Sequence, residues 1–348
     1  MTDKEKLLKY LEEGSKGKLV LGNCKADLKG VNLSGAKLRG ADLSDVDLRD
    51  AILTAADLTF VNLSGANLGR ANLDRAILND ANLSRTYLKD AVLTGAILTN
   101  ADLTRSILIG ANLKDSDLTN AKLQDVDLER ANLKYANLTD ANLTGSVLIR
   151  AKLIGAVIIN AILQDTDLTH AILNGANLTG ADLTRAIMKN VKLEAVKLNG
   201  SSITTPAVLS NANLTGSNIE GATLEGAILK DAILSNSILK KTNLRHAVLT
   251  RCNLTNANLS EANLQASNLI SADFTGALLI YANLNWAKMK DTILIKANLK
   301  GAHLCNTNLL GADLSESDLS NVDFRNANLS GVNLTNAELT GAKGMVFG

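Results

Sequence analysis

A large apolar residue returns at every fifth position from Leu28 onward: Leu28, Leu33, Leu38, Leu43, Leu48. This central position runs unbroken to Ile203, which makes 36 units. Ile203 to Leu209 is six residues, and the period then resumes from Leu209 to Leu339 for 27 more units. Of the 63 central residues 56 are Leu, and the rest are Ile158, Met188, Ile203, Ile219, Phe274, Met289 and Phe324. Two residues before each stands a small one, as at Ala41, Ala66, Ala71, Ala101 and Ala131, with Thr86, Ser106 and Cys252 among the variants. The middle residue between the two is usually polar, as at Asp42, Asn67, Asn112 and Asp313.

A period of five fits neither regular element. On an α-helix each step of five turns the apolar position by about 140° beyond one full turn, so no stripe forms. On a flat strand an odd step sends successive Leu to opposite faces. The small-x-Leu core of each unit is nevertheless strand-like, with both apolar residues on one side. A short extended piece that turns a corner in every unit satisfies both facts. Repeated in one sense, the corners close the chain into a coil with the small and Leu residues inside. The corner has two residues, and its second position holds 19 of the 25 Gly, including Gly30, Gly65 and Gly301. A positive φ there explains the enrichment. Arg70, Arg75 and Arg105 also occupy this position, which predicts that some corners are not left-handed.

The units Ala41-Asp42-Leu43, Ala71-Asn72-Leu73 and Ala257-Asn258-Leu259 resemble the pentapeptide-repeat family, and the resemblance covers about nine tenths of the chain. It implies an all-β solenoid: a right-handed quadrilateral β-helix of four units per coil, stacked by backbone hydrogen bonds. Each inward Leu then contributes about 2 kcal/mol of burial, offset in large part by ordering entropy. Stability is carried by contacts between neighbouring coils.

The flanks are read as caps. Residues 1–27 form a helical cap and lead-in, with a capping box at Thr2 and Glu5, an apolar stripe of Leu7, Leu8 and Leu11, and a stop at Gly14. They predict a short capping α-helix over residues 3–13. The first block spans 28–203 and the second 209–339. The single Pro, Pro206, lies between them, so 204–208 reads as a one-residue-insertion bulge where ladder pairing is already broken. Residues 340–348 form a C-terminal cap whose Met345, Val346 and Phe347 are a candidate end contact. Some family members dimerise through that end, so a monomer or an end-to-end homodimer is expected.

Composition narrows the class. Aromatics are 3% of 348 residues, with one Trp, so the core is aliphatic and uniform. A 46% apolar content with net charge +1 excludes a disordered chain. No apolar run reaches the roughly 18 residues of a membrane span, so no membrane association is expected. The charged N-terminal segment has no signal core, and three Cys form no disulfide framework. A cytoplasmic, bacterial protein of cyanobacterial style is the expectation.

Chemistry is sparse. A filled Leu/Ala coil has no cleft in which catalytic groups converge. His170, His246 and His303 share no column, and no phosphate loop, nucleophile elbow or zinc motif is present. No enzyme activity, catalytic residue, metal or cofactor is expected. Members that protect DNA gyrase present an acidic, DNA-like rod. Here residues 185–255 carry nine basic against four acidic side chains, which breaks any continuous negative field. DNA mimicry toward gyrase or another topoisomerase is the alternative function, and nucleic acid is not an expected partner. Outward apolar residues are the better lead. Val208, Ile228 and Val248 stand twenty apart, Ile233 and Ile238 extend the apolar character to adjacent sides, and Tyr281 and Trp286 are outward aromatics of the kind enriched in binding hot spots. A scaffold or regulator that binds a protein partner on its flat faces is the expected role.

Overall fold

The structure is a computed structural model that describes residues 3–13, 19–21, 26–193, 196–197 and 204–345. The chain divides into two compact units, Met1–Asp167 and Leu168–Gly348.

Both units are built from one element, the five-residue edge of a quadrilateral β-helix. Middle residues pair in parallel at a step of twenty, as in Asp47↔Asn67, Asn67↔Tyr87 and Tyr87↔Ile107. Four edges therefore make one coil. The backbone accounting is complete within a unit. The middle residue donates back one coil (Asn67 N–H to Val46 carbonyl, 2.9 Å) and the central residue donates forward (Leu48 N–H to Asn67 carbonyl, 2.7 Å). The second corner residue also donates forward (Gly65 to Ser84, 2.9 Å), and the next small residue closes the turn (Ala66 to Leu63, 3.0 Å). The remaining N–H belongs to the first corner residue. It is taken by the side chain of the middle residue: Ser64 N–H donates to Asn62 Oδ1 at 3.2 Å, and Ser64 Oγ donates to the same oxygen at 2.8 Å. This local Asx turn explains why the middle residue is so often Asn or Asp.

Every described central residue from Leu28 to Phe324 is buried, as are the small residues that face them. Several Ser and Thr at small positions donate inward-facing hydroxyls to carbonyls of the coil, for example Thr86 to Leu63 at 2.9 Å and Ser146 to Leu123 at 2.6 Å, whereas the buried hydroxyls of Ser106 and Ser217 have no partner among the described residues.

The corners depart from expectation. Arg70, Arg75 and Arg105 have φ of 57°, 53° and 58°, so arginine corners are left-handed like the glycine ones. The hydrogen bonds to two neighbouring coils fix the backbone, and the side chain conforms. Tyr281 (φ 55°) and Trp286 (φ 65°) stand in the same strained region.

The interruption also differs. Asn177 pairs with Val208 and Lys192 with Thr223, a step of thirty-one rather than twenty, so the chain carries eleven extra residues here instead of one. Among the described residues, Leu193 is the last buried central residue before the gap and Leu209 the next after it. Two strands, β1 (Val196–Lys197) and β2 (Thr204–Thr205), pair antiparallel as Val196↔Thr205 and Lys197↔Thr204. The described part of the insertion is thus a short antiparallel pair. Leu198 and Ile203 lie outside the described residues.

The N-terminal helix α1 spans Asp3–Glu12. Leu7 and Tyr10 are its buried residues, whereas Leu8 faces out at 43% exposure. Thr2 and Gly14 lie outside the described residues, as do Val346 and Phe347, while Met345 is half-buried.

Candidate protein interface

The middle and corner columns display what the sides of the solenoid present to solvent, and at the C-terminal end the inward Val332, Leu334 and Leu339 are partly exposed as well. Val208, Ile228 and Val248 occupy one column in consecutive register, bounded by Asn177 and Asn268. All three are half-buried. None can supply the side-chain oxygen that caps the following turn, so each gives up a hydrogen bond of about 1 kcal/mol. Ile233 and Ile238 are exposed on the next two sides, and there they alternate with Asn213, Asn253, Asn218 and Asn258. They belong to other faces and do not widen the ladder.

Tyr281 and Trp286 are 61% and 60% exposed, above every other large apolar side chain among the described residues. They sit on consecutive corners of one coil, with Asn283 between them. The Tyr281 ring lies over the following corner: a Cβ added at Gly301 would stand 2.5 Å from Tyr281 Cε1. The side-chain-free Gly301 is what leaves that room. Two other aromatics also occupy corners, and each carries a cation of the chain, Arg39 over Phe60 at 5.1 Å and Lys134 over Tyr135 at 4.9 Å.

The amide column is partly a ladder. Asn283 Nδ2 donates to Asn263 Oδ1 at 3.3 Å, but Asn243 Nδ2 turns to Glu225 Oε2 at 3.3 Å. His303 pairs with Asn283 and Asp323 along the backbone. The Asp323 carboxylate is committed to Arg325, through Nε at 2.9 Å and Nη2 at 2.6 Å, and this hydrogen-bonded guanidinium holds its pKa well below the usual carboxylate range.

Charge in the basic middle is largely internal. Arg251 makes two bonds of 2.7 Å to Asp231, Lys240 and Lys241 reach Glu261 at 3.8 and 3.6 Å, and Arg245 approaches Glu225 at 3.9 Å. Vertical pairing at the twenty-residue step links acid and base in neighbouring coils, as also in Arg70–Asp50.

Cys252 is an inward small residue whose Sγ donates to the Leu229 carbonyl at 2.8 Å, and burial pushes its thiol up to about 12. A polar depression of about 480 Å³ is lined by Asp45, Gly65, Ser84, Arg85, Asp102 and Arg105 among others. Its lining contains no histidine or cysteine. Among the described residues, no group of three or more His, Cys, Asp and Glu could hold a metal ion.

This stacked, four-sided coil defines a right-handed quadrilateral β-helix. The pentapeptide-repeat profile matches successive segments from residues 26–65 to 317–343, in eight copies, and the chain belongs to that family. No curated protein matches the sequence. Among solved structures, the chain is similar to HetL, a pentapeptide repeat protein involved in heterocyst differentiation regulation from the cyanobacterium Nostoc sp. strain PCC 7120. That likeness has 30% identity over 75% of this chain and 92% of HetL, with a TM-score of 0.43. It is also similar to QnrB1, a plasmid-mediated fluoroquinolone resistance protein, at 22% identity over 58% of this chain and 90% of that one, with a TM-score of 0.24. A third is Rfr23 from the cyanobacterium Cyanothece 51142, at 27% identity over 49% and 86%, with a TM-score of 0.17.

Proposed function

We propose that this chain is a non-catalytic scaffold or regulator that engages a protein partner through a flat face of its solenoid. The observation that carries the reading is the Val208–Ile228–Val248 column. Three consecutive coils place a β-branched apolar residue where an Asn or Asp would cap the turn, and they do so on one side only. A surface that forgoes a favourable local bond three times in register, and shows apolar groups instead, suits burial by a partner. The regulatory association of HetL agrees with this reading. DNA mimicry fits less well, because the net charge is +1 and the acids of the middle coils are matched by bases above or below them.

The test is a pull-down from the source cells with the wild-type chain and with Val208→Asp, Ile228→Asp and Val248→Asp combined. Loss of a specific bound protein from the triple variant, at unchanged circular dichroism, is the expected result. Equal capture by both chains removes this face from consideration.

A further inference from the structure

One turn of the second unit differs from its neighbours in three ways at once. Between Leu278 and Gly301 the outward side chains include Leu278, Ile280, Tyr281, Trp286, Ile293 and Ile295. The same stretch holds four lysines, Lys288, Lys290, Lys296 and Lys300, against one acid, Asp291. Within the coil 278–297, three of the four middle positions, Leu278, Lys288 and Ile293, carry no turn-capping oxygen, and Asn283 alone accepts from its turn, from Asn285 N–H at 3.2 Å.

The ion pairs sharpen the picture. Lys290 is drawn to Asp291 at 3.9 Å and Lys296 to Glu316 at 3.5 Å. Among the described residues Lys288 and Lys300 make no ion pair, although most cations of the preceding coils do. Lys288 stands two residues beyond Trp286. Lys300 immediately precedes Gly301, the corner beneath the Tyr281 ring. The aromatics differ from their counterparts as well. Phe60 and Tyr135 carry a cation of their own chain, while among the described residues no cation covers Tyr281 or Trp286.

We infer that this turn is the docking surface for an acidic segment of a partner protein, one whose apolar side chains seat on Tyr281 and Trp286 while its carboxylates meet Lys288 and Lys300. Charge complementarity selects the occupant. Two lysines without an ion pair, one two residues from Trp286 and one next to the corner beneath the Tyr281 ring, repel a basic segment and attract an acidic one. The rings supply anchor area at low conformational cost. The inference rests on the scaffold reading but uses a separate set of residues, so the two can fail independently.

Trp286 is the only tryptophan, so emission excited selectively at tryptophan reports on this turn alone. The full chain is titrated with a short synthetic peptide of alternating Glu and Leu, with its Lys-for-Glu counterpart, and with oligo-dT. The Glu peptide is expected to shift the Trp286 emission, with an affinity that falls as salt is raised. Lys288→Glu with Lys300→Glu should weaken that binding about tenfold and favour the Lys peptide. Absence of an emission change with the Glu peptide overturns the inference. So does equal or tighter binding of the Lys peptide by the wild-type chain, or tighter binding of oligo-dT. If these titrations fail while the Val208–Ile228–Val248 triple variant still loses its captured protein, the scaffold reading survives and only this surface is withdrawn.

Discussion

Two coils share an interior and differ in everything else. In the coil 127–146 of the first unit and the coil 278–297 of the second, the inward residues are Ala, Leu, Ser, Thr and one Met, all buried. Outside, the first coil has Asp127, Asn132, Asn137 and Asn142 at its middle positions, and each accepts from the following turn, at 3.0, 3.3, 3.1 and 3.0 Å. The second coil has one such acceptor, Asn283. The one outward aromatic of the first coil, Tyr135, lies under Lys134, whereas the second displays Tyr281 and Trp286 bare. The difference separates two kinds of information. Inward positions specify the fold and are interchangeable between coils. Outward positions can be spent on turn capping or on display, and the second coil gives up capping.

The comparison predicts equal damage inside and opposite effects outside. Leu133→Asp and Leu284→Asp each bury an unpaired carboxylate in a filled coil and should cost more than about 4 kcal/mol. Denaturant unfolding of both variants checks this. A large inequality would mean that the two interiors are not equivalent. At middle positions, Asn137→Ile should destabilise by about 1 kcal/mol through loss of the turn bond, while Ile293→Asn should stabilise by about the same amount. If both substitutions move stability in one direction, turn capping is not what distinguishes the coils. Trp286→Asn should stabilise by up to about 1 kcal/mol, because Asn tolerates the left-handed corner better than a bulky ring.

Acid should act on both units. Hydrogen-bonded guanidinium groups lower the pKa of Asp50, Asp231 and Asp323 in the folded chain. Their contribution is therefore present above the unfolded value, about 3.9, and is lost as pH falls through the lower folded values. Melting temperature should drop below about pH 4, and Asp323→Asn should flatten part of that slope.

The interior was legible because a five-residue period admits one solution. Leu113 and Leu259 are buried for the reason their spacing announces. The corners were less legible. Arg70 at φ 57° gives no side-chain signal of a left-handed backbone, because the bonds that impose it come from coils twenty residues away. The insertion misled for a different reason. Leu198 and Ile203 keep the five-residue rhythm inside it, so an insertion of eleven resembles a slip of one. Register between coils, not local periodicity, reveals it. The display of Tyr281 and Trp286 was readable from their position outside the small-x-Leu core. The freedom of Lys288 and Lys300 was not, since vertical ion pairing depends on which residues share a column.

The smallest expected effect isolates a single interior side chain. Cys252 replaces the usual Ala, and its thiol donates to a carbonyl of the preceding coil. Burial raises its folded pKa to about 12, above the unfolded value of about 8.5. Stability from this group is fully present below the unfolded value and declines as pH rises toward the folded one. Between about pH 8.5 and about 12 the wild-type chain should therefore lose melting temperature faster than Cys252→Ala. Cys305, half-buried at a corner, gives the control: a thiol reagent should label it in the native chain and reach Cys252 only on unfolding. Labelling of Cys252 at native pH would show that the coil opens locally at the site where its interior is least uniform.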